Sequence, residues 1–381
     1  MIGVRRSARA RGVVLPTIAA LLCFALGGCI ETGLGGAADY VGSFGGPSAP
    51  AAKPTRVQVF IVSTRAGESG AAAQRQASDG PHYSLATLTI PPGHQTGAIE
   101  QPMWGSSDAR SHIVVEGRRE LDADEFHAEL ASHVSGRIGV NRDILVFVHG
   151  FKMSFEEARF RAGQIAADSR FGGVAVLFTW PSRNELLGYA SDKDSATASR
   201  DALQDLLEDL ARTPGIGKVH ILAHSMGAWL AMESLRQSAI AGRRGLDGRL
   251  GNVMLASPDI DMDVFAGQMA RIQPAAVTVF ATANDRALSL SSTIAASRQR
   301  VGAIDASKPE DREALEKLGA KVYDLSSFSD GFIGHGLYAD TPDVIHAIGA
   351  QMAAPRAQDV NAVSIIDATR DAEPAQAAAT P

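Results

Sequence analysis

Short apolar runs recur along the middle of the chain, each followed by a longer stretch whose apolar residues return every three or four positions. The runs Val57–Val62, Ser84–Ile90, Ile144–Val148, Val174–Thr179, Val219–Ala223, Asn252–Ala256, Ala276–Ala281 and Lys321–Leu325 are rich in Val, Ile, Leu and Phe and predict strands. Several show no polar alternation, as expected of strands covered on both faces of a parallel sheet. Between them, helices are marked by their ends. Ser154 and Glu157 form a capping-box pattern opening a segment that runs to Ala167. Leu203, Leu206, Leu207 and Leu210 make one apolar stripe, stopped at Thr213-Pro214-Gly215. Ser307, Pro309 and Glu310 start a further helix closed by Gly319, and Thr341-Pro342 starts the last. Alternating strands and helices predict one α/β domain over residues 56–355: a mostly parallel sheet of about eight strands with helices on both faces.

The ends of the chain follow other rules. Arg5, Arg6, Arg9 and Arg11 precede an apolar run from Val13 to Leu26, and then comes Leu26-Gly27-Gly28-Cys29. A basic start, a short apolar core and small residues before a cysteine predict a signal peptide over residues 1–28. Its ending resembles a bacterial lipobox, which makes Cys29 the lipidated first residue of the mature chain. Residues 29–55, mostly Gly, Ala, Ser and Pro, read as a tether, and residues 356–381 as a disordered tail. The only two cysteines are Cys23 and Cys29, so the mature chain would hold no disulfide and no free thiol. Without the four leader arginines, 32 basic residues face 42 acidic ones, a net of about −10. That balance excludes a nucleic-acid partner and leaves membrane contact to the anchor.

Candidate chemistry begins at Ala223-His224-Ser225-Met226-Gly227, where an apolar strand passes into a helix with almost no loop. A serine at so sharp a turn is pushed out of the surface, and its neighbours two positions away must be small. Here they are Ala223 and Gly227. This is the nucleophile-elbow pattern with alanine in the first position, and it places the Met226 N–H near any oxyanion on the substrate. A serine nucleophile needs a base and an orienting acid. Asp285 follows the strand ending near Ala281, and His335, between two glycines, follows the strand ending near Leu325. The order Ser225, Asp285, His335 is that of the elbow hydrolases. Asp259, Asp261 and Asp263 follow an earlier strand; Asp259 is the alternative acid, and helix-start capping is the plainer role for the three. His220 reads as a core histidine, His224 as support for the elbow, and His346 as a helix residue packed on the sheet. With no H-E-x-x-H or Cys/His cluster, no metal site is expected.

With "VFVHGF", "FTWPSR", "AHSMG", "ASPDID" and "ANDRAL", the chain from Val57 to Ala353 resembles the α/β-hydrolase superfamily. It is most similar there to a bacterial esterase- or lipase-like family known chiefly as a domain of unknown function. The resemblance implies a second oxyanion donor after His149-Gly150, from the backbone N–H of Phe151 or Lys152, and neither metal nor organic cofactor. Together these readings predict an anchored serine hydrolase acting on small-molecule or lipid carboxylic esters, with Trp180-Pro181-Ser182 among the pocket residues. The same groups would serve an acyltransferase or a peptidase, and loss of a triad member would leave a silent binding module of the cell envelope. Ile30 after the cysteine, in place of aspartate, favours the outer membrane.

Cells labelled with a fatty-acid analogue should incorporate it at Cys29, and Cys29→Ser should move the protein from the membrane to the soluble fraction. Absence of label on the parent, with equal membrane recovery of both, would contradict the lipobox.

Overall fold

The computed structural model describes residues 53–68, 70–185, 188–272, 275–283, 299–328 and 336–353. The leader, Cys29, most of the tether and the tail lie outside the described residues. In chain order the elements are β1 (Thr55–Arg65), α1 (Ala71–Arg75), β2 (Ala77–Ile90), β3 (Val114–Leu121) and α2 (Ala123–Val134). There follow β4 (Ile144–Val148), α3 (Phe155–Asp168), β5 (Val174–Thr179), α4 (Tyr189–Ala198), α5 (Arg200–Arg212) and β6 (Val219–His224). The remainder is α6 (Met226–Ile240), β7 (Leu250–Ala256), α7 (Met262–Ile272), β8 (Ala276–Ala281), α8 (Pro309–Lys317), β9 (Ala320–Asp324), α9 (Leu337–Asp340) and α10 (Pro342–Ala353).

Nine strands form one sheet in the order β3-β2-β1-β5-β4-β6-β7-β8-β9. From β1 to β9 every neighbouring pair is parallel, and β2 runs antiparallel to both β1 and β3. The expectation of about eight strands omitted β3. Its sequence, VVEGRREL, is exposed over most of its length because it edges the sheet, so it carries no apolar run. Strands β4, β5 and β6 are buried at every position, which accounts for their mostly apolar sequences.

Alternate residues of these strands serve two cores. Ile144, Val146 and Val148 of β4 pack with Ile221 and Ala223 of β6 in the layer that holds α2, α5, α6 and α7. Leu145 and Phe147 face the other layer, with Phe155, Ala158 and Ile165 of α3 and Val344 and Ile348 of α10. The chain therefore leaves β4 for one face and β6 for the other. Between these adjacent strands the order reverses, and the crevice at their carboxyl ends is the topological switch point of the sheet.

The helix ends follow local chemistry. Ser154 and Glu157 form a reciprocal capping box on α3, and Asp122 and Glu125 do the same on α2. Lys308, not Ser307, is the N-cap of α8, since the Ser307 hydroxyl bonds Asp305 instead. His346 differs from expectation: it lies on α10 but is exposed. The buried stripe of that helix is Val344, Ile345, Ile348, Gly349 and Met352, and position 346 falls outside it. His220 is in the core as expected. Its Nδ1 accepts from the Asn252 N–H at 3.0 Å, so its proton sits on Nε2, 3.1 Å from Asp143.

A second polar cluster pins the loop after β2 to the end of α3. His94 reaches Glu100 at 2.9 Å through Nδ1 and Asp168 at 2.8 Å through Nε2, and Asp168 also accepts from the Gly97 N–H. Burial opposes the charged imidazole, but the bonds to Glu100 and Asp168 outweigh it and raise the His94 pKa above its ordinary 6.5. Burial likewise opposes the Glu100 charge, yet its bonds to His94 and the backbone hold its pKa below 4.5. A raised histidine pKa contributes stability below 6.5 and loses it as pH rises through the raised value; the depressed carboxylate loses its share as pH falls. His94→Gln should therefore cost about 1–3 kcal/mol near pH 6 and less near pH 9. Urea unfolding of both proteins at the two pH values measures this, and a gap that widens toward pH 9 would refute it.

Candidate active site

Ser225 joins β6 to α6 at φ 53 and ψ −120, a left-handed conformation that a side chain rarely adopts. Its surroundings hold it there. The Ser225 N–H donates to the Ala256 carbonyl at 2.9 Å, and the Ser225 carbonyl accepts from Ala228 at 3.0 Å and from Asp259 at 3.2 Å. Space is as decisive as bonding. A Cβ on Gly227 would stand 2.2 Å from the His149 carbonyl oxygen and 2.7 Å from that of Val148, so only glycine fits. A Cβ on Gly150 would stand 2.7 Å from His224 Nδ1 and 3.0 Å from the Ser225 Cβ. The loop after β4 thus lies directly against the serine, and Met226 opens α6 beside it with an N–H in the unpaired first turn.

Phe151 and Lys152 follow Gly150 in that loop. Lys152 is exposed and has φ 57, so the loop turns back sharply after the Gly150–Phe151 peptide. Phe151 packs edge-on against Tyr189 of α4 at 5.5 Å. His224 is buried and stacks on Tyr338 of α9 at 4.6 Å, a supporting position as expected. Trp180 and Ser182 differ from expectation. They are 0% and 2% exposed and form a second layer under the loop, not a pocket wall. Trp180 stacks on His149 at 5.0 Å and donates through Nε1 to its carbonyl at 3.0 Å.

Asp285 and His335 lie outside the described residues. Their strands, β8 and β9, end at the same carboxyl edge as β6, where the Leu325 N–H bonds the Ala281 carbonyl and the Ala283 N–H bonds the Ser326 hydroxyl. Asp259 is described, and both its oxygens are engaged. Oδ2 accepts from the Tyr189 hydroxyl at 2.6 Å, and Oδ1 lies 3.3 Å from Arg300 Nε. Asp261 caps α7 through the N–H groups of Asp263 and Val264, the plainer role foreseen for that cluster.

Several polar residues of this neighbourhood gave no sequence signal. Lys193 of α4 sets its ammonium 3.5 Å from the centre of the Trp229 ring, one turn after the serine. Burial pulls its pKa down to about 7 against the opposing field of Asp259. Tyr189 and Lys193 come from the crossover between β5 and β6, and Arg300 comes from the segment between β8 and β9. A cleft of about 960 Å³ opens elsewhere, between the starts of β1 and β5. It is lined by Arg56, His133, Arg137 and Arg170 and contains no residue of the elbow.

A doubly wound parallel sheet with a strained serine at its switch point defines an α/β hydrolase. The chain belongs to the alpha/beta hydrolase family of unknown function known as DUF900, which residues 122–356 match. An uncharacterized protein of Nostoc sp., alr1448, is 38% identical over 63 residues, and the match spans 16% of each chain. Among solved structures, the chain is similar to an esterase of Pyrococcus furiosus, with 10% identity and a TM-score of 0.36 over 79% of this chain and 90% of that one. An esterase of Pyrobaculum calidifontis gives 13% identity and a TM-score of 0.35, over 74% and 83%. The RedJ thioesterase of Streptomyces coelicolor gives 13% and 0.32, over 55% and 86%.

The strain at Ser225 has a thermodynamic signature. At an ordinary helix start, glycine is less stable than alanine, because it has more freedom to lose. At φ 53 and ψ −120 the order should reverse, since strain of roughly 1–3 kcal/mol is relieved only by removing the Cβ. Ser225→Gly should exceed Ser225→Ala in unfolding free energy by about 1 kcal/mol after that entropy cost. Denaturant unfolding compares them, and a more stable alanine variant would contradict the strain.

Proposed function

We propose that this protein is a serine hydrolase of carboxylic esters, anchored in the cell envelope through lipid on Cys29. The observation that carries the reading is the strained Ser225 held against the Gly150–Phe151 loop at the switch point. Ser225 Oγ attacks the acyl carbonyl while His335 takes its proton; Asp285 holds the imidazole and stabilises its cation. The developing oxyanion is bound by the N–H of Met226 and that of Phe151 or Lys152. The carbonyl then re-forms, the leaving alcohol takes the proton from His335, and water releases the acyl group by the same steps in reverse order. An acceptor other than water would make the same intermediate an acyltransferase reaction. The Asp259 carboxylate already accepts from the Tyr189 hydroxyl and pairs with Arg300, which favours Asp285 as the acid.

Ser225→Ala should lower hydrolysis of a p-nitrophenyl ester by on the order of a million-fold. Asp285→Asn should lower it roughly ten-thousand-fold by leaving the imidazole in the wrong tautomer, and Asp259→Asn should cost far less. Parental turnover by folded Ser225→Ala would refute the mechanism. The reverse ranking of the two aspartates, both variants folded, would move the acid to Asp259.

A further inference from the structure

Arg65, the last residue of β1, is 0% exposed, and among the described residues its guanidinium bonds no carboxylate. Its five N–H groups each have a neutral acceptor. Nε donates to Thr179 Oγ1 at 2.9 Å; Nη1 donates to the carbonyls of Gln74 at 3.0 Å and Ser182 at 3.4 Å. Nη2 faces the Met153 carbonyl at 2.9 Å and His149 Nε2 at 3.2 Å. Two of these acceptors, His149 and Met153, bracket the loop that lies against Ser225. The same loop is tied from its other side, because the Met153 N–H donates to the Ser182 hydroxyl, which donates to Asp192 at 2.6 Å.

His149 stands between Arg65 and the loop. Its Nε2 lies 3.0 Å from the Thr179 hydroxyl, which already accepts the Arg65 Nε–H, and 3.2 Å from both the Arg65 Nη2–H and the Trp180 backbone N–H, neither of which can accept a bond. Its Nδ1 lies 2.9 Å from the Gly150 carbonyl oxygen, which cannot donate. With two N–H donors aimed at Nε2 and a carbonyl at Nδ1, the ring carries its proton on Nδ1. Burial, and then the Arg65 charge, push the His149 pKa down to about 3, so the ring is neutral at working pH. Burial lowers Arg65 only to about 10, and its charge persists. In a trans peptide the N–H points opposite to the carbonyl. Holding the Gly150 carbonyl toward His149 therefore turns the Phe151 N–H the other way.

We propose that Arg65 is a positioning residue for the oxyanion loop: by donating to His149 Nε2 it fixes the imidazole proton on Nδ1, which holds the Gly150 carbonyl and sets the direction of the Phe151 N–H. The proposal rests on the serine-hydrolase reading for its kinetic consequence and selects Phe151 over Lys152 as the second oxyanion donor. Arg65 lies in the first strand, outside the residues matched to the family.

The test joins a spectroscopic and a kinetic readout on the full chain. Nitrogen NMR of the histidine-labelled parent, with His149 assigned by its loss in His149→Asn, should show a neutral ring protonated on Nδ1 across pH 5 to 9. Folded Arg65→Met should show mixed tautomers, with kcat lower by on the order of 10- to 100-fold and KM within about threefold. His149→Asn keeps a donor at the Nδ1 position and His149→Leu does not. Leucine should be slower by about 100-fold in kcat at similar KM. A His149 proton on Nε2 in the parent overturns the proposal whether or not any variant folds. So do equal kcat values for folded Asn and Leu variants, or an unchanged tautomer and kcat in Arg65→Met. If instead Ser225→Ala retains parental turnover, the hydrolase reading fails while the tautomer result still decides the geometry.

Discussion

The site depends on the contact between Gly227 and the carbonyls of Val148 and His149. Strands β4 and β6 are neighbours, and the helix that follows β6 begins hard against the end of β4. That approach leaves no room for a side chain at position 227, and it forces the chain at Ser225 into a conformation costing on the order of 1–3 kcal/mol. The cost is sustained because everything around it is over-determined. The Ser225 N–H is tied to the end of β7, its carbonyl is tied to Asp259, and both flanking segments are buried in large apolar layers. The crevice at this point is a consequence of topology: the chain leaves β4 toward one layer and β6 toward the other.

A second constraint is electrostatic. Arg65 and Asp192 are both fully buried, yet they do not touch; the Ser182 residue lies between them, giving a carbonyl to one and a hydroxyl to the other. A buried charge is tolerable when every polar group is satisfied, and all five Arg65 donors are. The result is a rigid polar layer beneath the loop, made of Arg65, His149, Thr179, Trp180 and Ser182. Around the opposite side, Tyr189 links Phe151 to Asp259, and Lys193 sits on Trp229. The described groups around Ser225 thus hold one another in fixed orientations.

Much of this was legible in the sequence, for physical reasons that can be named. Strands β4, β5 and β8 are bounded as their apolar runs predict, because buried parallel strands need such runs. The elbow was legible because close packing demands small residues on either side of the serine. Strand β3 was not, because an exposed edge strand has no apolar signature. The packing of His346 was misread because a short apolar stretch does not specify which helix face is buried. The polar layer was invisible for a different reason. Arg65 lies 84 residues from His149 and 114 from Thr179, and most of its other acceptors are main-chain carbonyls that carry no residue-type signal. An arginine closing the run Val59-Phe60-Ile61-Val62-Ser63-Thr64 was the one available hint.

The central claim is that the strain and packing around Ser225 serve a nucleophile. It is tested most directly by incubating the purified protein with a fluorophosphonate and mapping the product by mass spectrometry. The account predicts one adduct per chain, on Ser225, and none in Ser225→Ala. An unmodified parent, or a label confined to another residue and retained in Ser225→Ala, would contradict it.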